Sequence, residues 1–507
     1  MNELNYESLR AHKRFTVKKQ TVVESVLHTD KDVKIAKVLS LSADGSLMAS
    51  EALSKELKYN GRVNFKVVFM NHNNEIAKLN YYADFTDKME NEQISSTSNI
   101  ITSGEIIDIN TVSLSDSEIK LACVFEISAE IVISEKFKCI LKSDKLHIKT
   151  EDFSLCDILV KNSANFDVGE EKIVKNIVSD ILYSDGDALV NTTLCSSDMF
   201  ISEGEVIVNL VYKDAVKDEI GALSFKMSFK FEIDAKNCQI LNTATSCASV
   251  NYLEVNVSVD EEKKESIFKI KANIKISGIV YSVSSMNVVT DVFSEVNELS
   301  PVVLGINTNS FEGTFITSQR IEGSVELLKD SPDIINILCC MGTRVNIVGI
   351  LCDNQKVNFE GVLNTNVLYV DREGKKNSSH IEVPFNIACD NALVRKDSQI
   401  SARAIVLDIY AKTKKGLDIE IYATVKVCAN VFKDSAIMAV TEVETLNEKL
   451  ADNTISIYFA LAGEDLWDVA KQLNCSAEVI KNQNPQIETP FKGGEQVVVY
   501  RQKIISI

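Results

Sequence analysis

Alternation of polar and apolar residues dominates this chain. In IKLACVFEISAEIVI, Ile119, Leu121, Cys123, Phe125, Ile127, Ala129 and Ile131 fall on one face. FKIKANIKIS sets Phe268, Ile270, Ala272, Ile274 and Ile276 opposite Lys269, Lys271, Asn273 and Lys275. LDIEIYATVKV does the same with Leu417, Ile419, Ile421, Ala423, Val425 and Val427. A period of two predicts strands with one buried and one solvated face. The connections are too short for crossover helices, so antiparallel hairpins are expected. DREG after Tyr369 and SDGD before Ala188 read as turns. The fold class expected is mainly β, with antiparallel sandwich-like or barrel-like domains.

Three segments repeat one pattern: Gly61–Phe85, Gly204–Phe229 and Gly361–Phe385. Each begins with a glycine and runs through a strand to an aromatic residue (Phe69, Tyr212 or Tyr369). Each then crosses a polar loop and returns to a phenylalanine. The aromatics lie 143 and 157 residues apart, and the closing phenylalanines 144 and 156 apart. Two landmarks with such similar offsets predict three copies of one unit. The expected boundaries are 1–150, 151–298 and 299–440, then a linker over 441–454 and a small domain over 455–502.

The last stretch changes period. Tyr458 and Ala460 are expected in a strand, and Gly463 in a turn. Asp465 can cap a helix by accepting from the Asp468 backbone N–H. Leu466, Val469, Ala470 and Leu473 would form that helix's buried stripe. Ser476 can cap a second helix whose apolar face includes Val479 and Ile480. Asn484-Pro485 ends it, and Gly493-Gly494 turns into a strand with Val497 and Val499 on one face. The sole tryptophan, Trp467, reads as a packing residue of the first of these helices rather than as a sugar-stacking platform.

Composition narrows the function. With 54 Lys+Arg against 72 Asp+Glu the formal charge is −18, which repels phosphate backbones and anionic membranes. Nucleic acid is therefore not an expected partner, whereas a basic protein surface is. The opening MNELNYESLRAHKRF has no apolar core, and no stretch is apolar for the ~18 residues of a membrane span, so neither a secretory signal nor a transmembrane segment is expected. Twelve cysteines form no C-x-x-C pair, which suggests free, mostly buried thiols in a reducing compartment. The adjacent Cys339 and Cys340 read as core, with redox activity the alternative. The five histidines are scattered, no Walker-type loop or metal motif is present, and no catalytic residue, cofactor or metal is expected.

GEDLWDVA, NPQI and GEQVVV, in that order, resemble the LysM family. The resemblance implies a βααβ fold with a ligand groove between two loops. Carried onto this chain, the groove would use Gly463, Glu464, Asp465, Leu466, Asn484, Pro485, Gln486 and Ile487. The family's usual ligand is an N-acetylglucosamine-containing glycan, as in peptidoglycan. Here Glu464-Asp465 replaces the usual Asp-Thr, which removes a donor, adds charge and favours a protein ligand. The repeats resemble the SPOCS domain of spore-forming bacteria, on the glycine, the "LYV" aromatic and the "PF" return of the third copy. The first two copies have "VFM" and "LVY" and lack the proline.

Tandem SPOCS copies followed by LysM is the layout of SipL-like spore coat morphogenetic proteins. That resemblance implies a non-catalytic assembly protein in the mother-cell cytoplasm, at the forespore surface and in the spore coat. Its LysM would dock on the coat-basement ATPase, stage IV sporulation protein A, and its SPOCS copies would link that layer to other coat proteins. The alternatives are a peptidoglycan-binding protein of the spore envelope and a self-assembling shell.

Overall fold

The computed structural model describes residues 4–30, 33–143, 146–216, 219–326, 333–414, 418–449 and 455–501. Leu417, residues 450–454 and residue 502, all named in the expectations above, lie outside that set. The chain is mainly β, built from small antiparallel sheets.

The first unit contains β1 (Leu4–His28), β2 (Ile35–Leu53), β3 (Glu56–Asn71), β4 (Ile76–Glu90), β5 (Asn99–Leu114) and β6 (Glu118–Ser143). Its two three-stranded sheets run β1-β6-β5 and β2-β3-β4. The second unit contains β7 (His147–Val174), β8 (Val178–Ser196), β9 (Met199–Asp214), β10 (Ile220–Asp234), β11 (Thr243–Asp260) and β12 (Glu265–Phe293). The third contains β13 (Asn297–Glu326), β14 (Ile334–Asp353), β15 (Lys356–Asp371), β16 (Lys376–Asp390), β17 (Gln399–Lys414) and β18 (Asp418–Glu448). Both repeat the strand order of the first: β7-β12-β11 with β8-β9-β10, and β13-β18-β17 with β14-β15-β16. In each unit the alternating apolar face is buried against the other sheet. Phe125 and Ile127 meet Phe65, Phe268 and Ile270 join the core of Phe200 and Val208, and Ile421 and Val425 join that of Phe359 and Leu363.

The repeated glycine and the repeated phenylalanine turn out to be direct cross-strand partners: Gly61 with Phe85, Gly204 with Phe229, Gly361 with Phe385. The ring folds over the bare backbone. A Cβ at any of the three glycines would lie under 3 Å from the ring and from a carbonyl oxygen of the neighbouring strand. Glycine is required here by close approach rather than by turn geometry. The strand–loop–strand hairpin is repeated as well. Asn71 and Asp371 each accept, at 2.9 Å, from the backbone N–H groups two and four residues on. DREG is accordingly a turn, with Gly374 at φ +77°.

SDGD is not. Ser184–Asp187 lies inside β8 and pairs with Ile207–Leu210. An Asp-Gly pair in a strand is unusual, and here the carboxylates find cationic partners in other units: Asp185 faces Lys66 of β3 at 3.5 Å, and Asp187 faces Arg403 of β17 at 3.6 Å. A second difference concerns residues 441–448. Expected as linker, they continue β18, because Val440 and Val443 pack with Ile140 and Val292 from the other units.

The central strands of the larger sheets are long. β12 has 29 residues and β18 has 31, or roughly 100 Å at ~3.3 Å per residue. One half of each long ribbon closes a sandwich. The other halves pack together, and one apolar core there takes Ala11 and Cys139 from the first unit, Phe153, Leu155 and Val288 from the second, and Ile306, Ile437 and Ala439 from the third. A further three-way core sits between the shorter sheets. Leu39 and Val68 meet Leu182 and Val211, and Cys339 and Leu368. Cys339 is thus a core residue, and burial pushes its thiol well above the ordinary range.

Buried charges reinforce these contacts. Glu205 of β9 is bracketed by Lys226 of its own unit and Lys426 of β18. Lys66 joins Asp44 of β2 to Asp185 of β8 and donates to the Ser184 carbonyl at 2.8 Å. Asp44 keeps contact with solvent, yet burial pushes its carboxyl up to about 6 against the pull of Lys66.

Candidate functional site

The C-terminal module consists of β19 (Ile455–Phe459), α1 (Leu466–Leu473), α2 (Ala477–Gln483) and β20 (Gln496–Tyr500), with β19 and β20 antiparallel. Asp465 caps α1 as the spacing predicts. Its Oδ1 accepts from the Asp468 N–H at 2.9 Å, and Asp468 Oδ2 accepts in return from the Asp465 N–H at 2.8 Å. Ser476 Oγ accepts from the Val479 N–H at 3.2 Å. Val469, Ala470, Leu473 and Ile480 bury against Val497, Val499, Ala460 and Phe491. Val479 is exposed, because α2 turns Ile480 inward instead, and Ala460 falls just beyond β19.

The eight groove residues divide sharply. Gly463, at φ +91°, is an exposed turn residue whose N–H donates to the Phe491 carbonyl at 2.8 Å. The Glu464 carboxylate is held locally by the Tyr458 hydroxyl at 2.8 Å and the Leu461 N–H at 2.7 Å. Leu466 and Ile487 are half-buried and pack on the same apolar cluster. Pro485 and Gln486 are exposed. The Asn484 side chain is taken up by the module's own backbone. It is buried, its Nδ2 donates to the carbonyls of Ile480 at 2.9 Å and Val498 at 2.8 Å, and its Oδ1 accepts from the Val498 N–H at 3.0 Å. Those bonds sew α2 to β20 and leave the amide committed to backbone groups.

The α1 end of the module is spent on the body. Asp465 Oδ2 accepts from Lys149 Nζ at 2.9 Å. Burial alone would raise this carboxyl, but the hydrogen bonds from Lys149 and the Asp468 backbone hold it below the usual range. Trp467 stacks edge-on against Phe293 at 5.0 Å and donates from Nε1 to Asp291 at 2.8 Å, and Lys471 reaches the same carboxylate at 2.7 Å. The tryptophan is a packing residue, and the body supplies its partners.

The opposite side of the module is bare. β19 sends Ile455, Ile457 and Phe459 away from the helices, and Leu461 and Tyr500 flank them. All five are between 54% and 64% exposed. Period two along β19 is the only sequence signal of this face, and it is easily read as ordinary burial.

One further arrangement was not visible in the sequence. Ser134 Oγ lies 2.8 Å from His12 Nδ1, and His12 Nε2 lies 2.6 Å from Asp157 Oδ1. These are the residue types of an acyl-transfer triad. His12 itself is buried, and the adjoining void of about 10 Å³, lined by His12, Arg14, Cys156 and Tyr281, has room for one water. The chain of bonds joins β1, β6 and β7 and acts as a bracket between units. Among the described residues, no group of three His, Cys, Asp or Glu side chains could hold a metal ion. No helix among them is long and apolar enough to cross a membrane.

No protein-family model, curated protein or solved structure matches this chain.

Proposed function

We propose that this chain is a non-catalytic assembly protein of the SipL-like kind, with three SPOCS-type units and a LysM-type C-terminal module. It works in the mother-cell cytoplasm at the forespore surface. The module docks on the coat-basement ATPase, stage IV sporulation protein A, and the three-unit body presents further surfaces to coat proteins. Several weak contacts from one body on a polymerised layer give strong retention.

The observation that carries this reading is the bare apolar face of Ile455, Ile457, Phe459, Leu461 and Tyr500. A contiguous exposed apolar surface on a small module favours a protein partner. Glycan recognition needs free polar groups in the groove, and the side chains of Asn484, Glu464 and Asp465 are already committed. The glycan alternative draws on Pro485, Gln486, Leu466 and Ile487, which remain near the surface.

Co-purification of the full chain with the ATPase, run beside sedimentation with purified peptidoglycan, separates the two. Retention by the ATPase that is lost in Ile457→Asp/Phe459→Asp supports docking. Retention on peptidoglycan that is lost in Leu466→Asp and untouched by Ile457→Asp/Phe459→Asp contradicts it.

A further inference from the structure

The three units provide an internal control. After the third hairpin strand each unit folds a short loop back over the tip of its β-hairpin, using the same backbone bonds. Lys55 donates to Ile94, Asp198 to Cys238, and Gln355 to Val394, at 2.9 to 3.0 Å. All three donors have positive φ. The residue that plugs this site is Ile94, Cys238 or Val394, each buried at 3% exposure or less. The facing residue, at the end of the preceding strand, is fixed by register. Ala52 pairs with Leu57, Cys195 with Phe200, and Cys352 with Val357. The pair is therefore Ala52/Ile94 in the first unit and Cys352/Val394 in the third. Only the second unit places a cysteine at both positions.

Cys195 packs on the cluster that contains Cys238, whose thiol donates to the Gln239 carbonyl at 3.8 Å and lies close enough to influence the Cys195 thiol. We propose that Cys195 and Cys238 form a disulfide that staples the β10–β11 loop to the β8–β9 hairpin when the protein meets an oxidising small-molecule disulfide. Cys195 is half-buried and Cys238 buried, so Cys195 is the thiol that such an oxidant reaches. The Cys195 thiolate attacks one sulfur of the oxidant and releases one small thiol. The Cys238 thiolate then attacks Cys195 Sγ and releases the second. Two electrons and two protons leave the protein, and the oxidant is reduced to two thiols. Burial, followed by the Cys238 contact, pushes the Cys195 thiol up to about 12, so the reaction is slow at neutral pH and faster in mild alkali. A slow, buried bond suits a lasting staple rather than a rapid sensor.

The test uses the full chain incubated with oxidised glutathione at pH 8.5, then alkylated, digested and mapped by mass spectrometry. A peptide linking Cys195 to Cys238 is expected, with the thermal midpoint raised by about 5 °C and restored by dithiothreitol. The double variant Cys195→Ala/Cys238→Ile copies the first unit's own pair, so it should fold and show no oxidant-dependent shift. Full alkylation of both cysteines after oxidation, or glutathione left on Cys195 with no cross-link, would overturn the proposal. So would an equal midpoint shift in the double variant.

Discussion

Between the three repeated units, charged side chains are buried and shared. Glu205 of the second unit holds Lys426 of the third, and Lys66 of the first holds Asp185 of the second. Apolar cores built from all three units surround these ties. The C-terminal module meets the body differently. Its contacts are a few half-exposed polar pairs, Asp465 with Lys149 and Lys471 with Asp291, around one aromatic contact. Its outer sheet face is left apolar and bare. The contrast teaches that the three units are tied to one another through buried groups, whereas the module is attached at one side and carries a bare apolar face at the other.

The strongest way to break that contrast is to damage a tie inside the body. Glu205→Ala leaves Lys426 buried without its carboxylate and should cost about 3–5 kcal/mol. Urea unfolding should show the second and third units losing stability together. Separate transitions would mean that the units are not one block.

Close approach at the repeated glycines comes next. Gly61→Ala, Gly204→Ala and Gly361→Ala each force a methyl group against a ring and a carbonyl, at a cost of about 1–3 kcal/mol. Three similar losses are expected because the geometry is repeated. A neutral substitution at one site would show that the copies differ in packing despite sharing a pattern.

In the module, Asn484→Ala removes the bonds that join α2 to β20, and about 2 kcal/mol with them. Its melting should fall while the body's transition stays in place, as differential calorimetry can resolve. A shift of both transitions together would merge the two regions into one.

The smallest effect is a pH dependence confined to the body. Burial raises the Asp44 carboxyl from its ordinary value of 3.8 to about 6. The folded state therefore holds this proton more tightly than the unfolded chain, and ionisation of Asp44 costs stability as pH rises through that window. Relative to wild type, Asp44→Asn should gain in thermal midpoint between about pH 4 and pH 7. A difference that is flat with pH would remove Asp44 from the account.

Much of the fold was legible from period and spacing. The strands around Phe125, Phe268 and Val425 follow their alternation, and the glycine–phenylalanine spacing marked a real cross-strand pair. What could not be read was which strand each buried face would meet. Ala11, Leu155 and Ile437 share a core although they come from three different units. SDGD looked like a turn because its carboxylates' partners, Lys66 and Arg403, lie in other units. The candidate site was legible in outline only. The caps at Asp465 and Ser476 follow from residue type and spacing, but the use of Asn484 as a backbone clamp depends on β20 lying beside it. Nothing in the residues 455–461 distinguishes a buried alternating face from a bare one.

The docking account stands or falls on which face of the module a partner covers. Hydroxyl-radical footprinting of the full chain, free and bound to the coat-basement ATPase, reads this directly. The account predicts strong protection of Phe459, Leu461 and Tyr500, with Pro485 and Ile487 unchanged. Protection of Leu466, Pro485 and Ile487 with Phe459 and Tyr500 still fully reactive would contradict it.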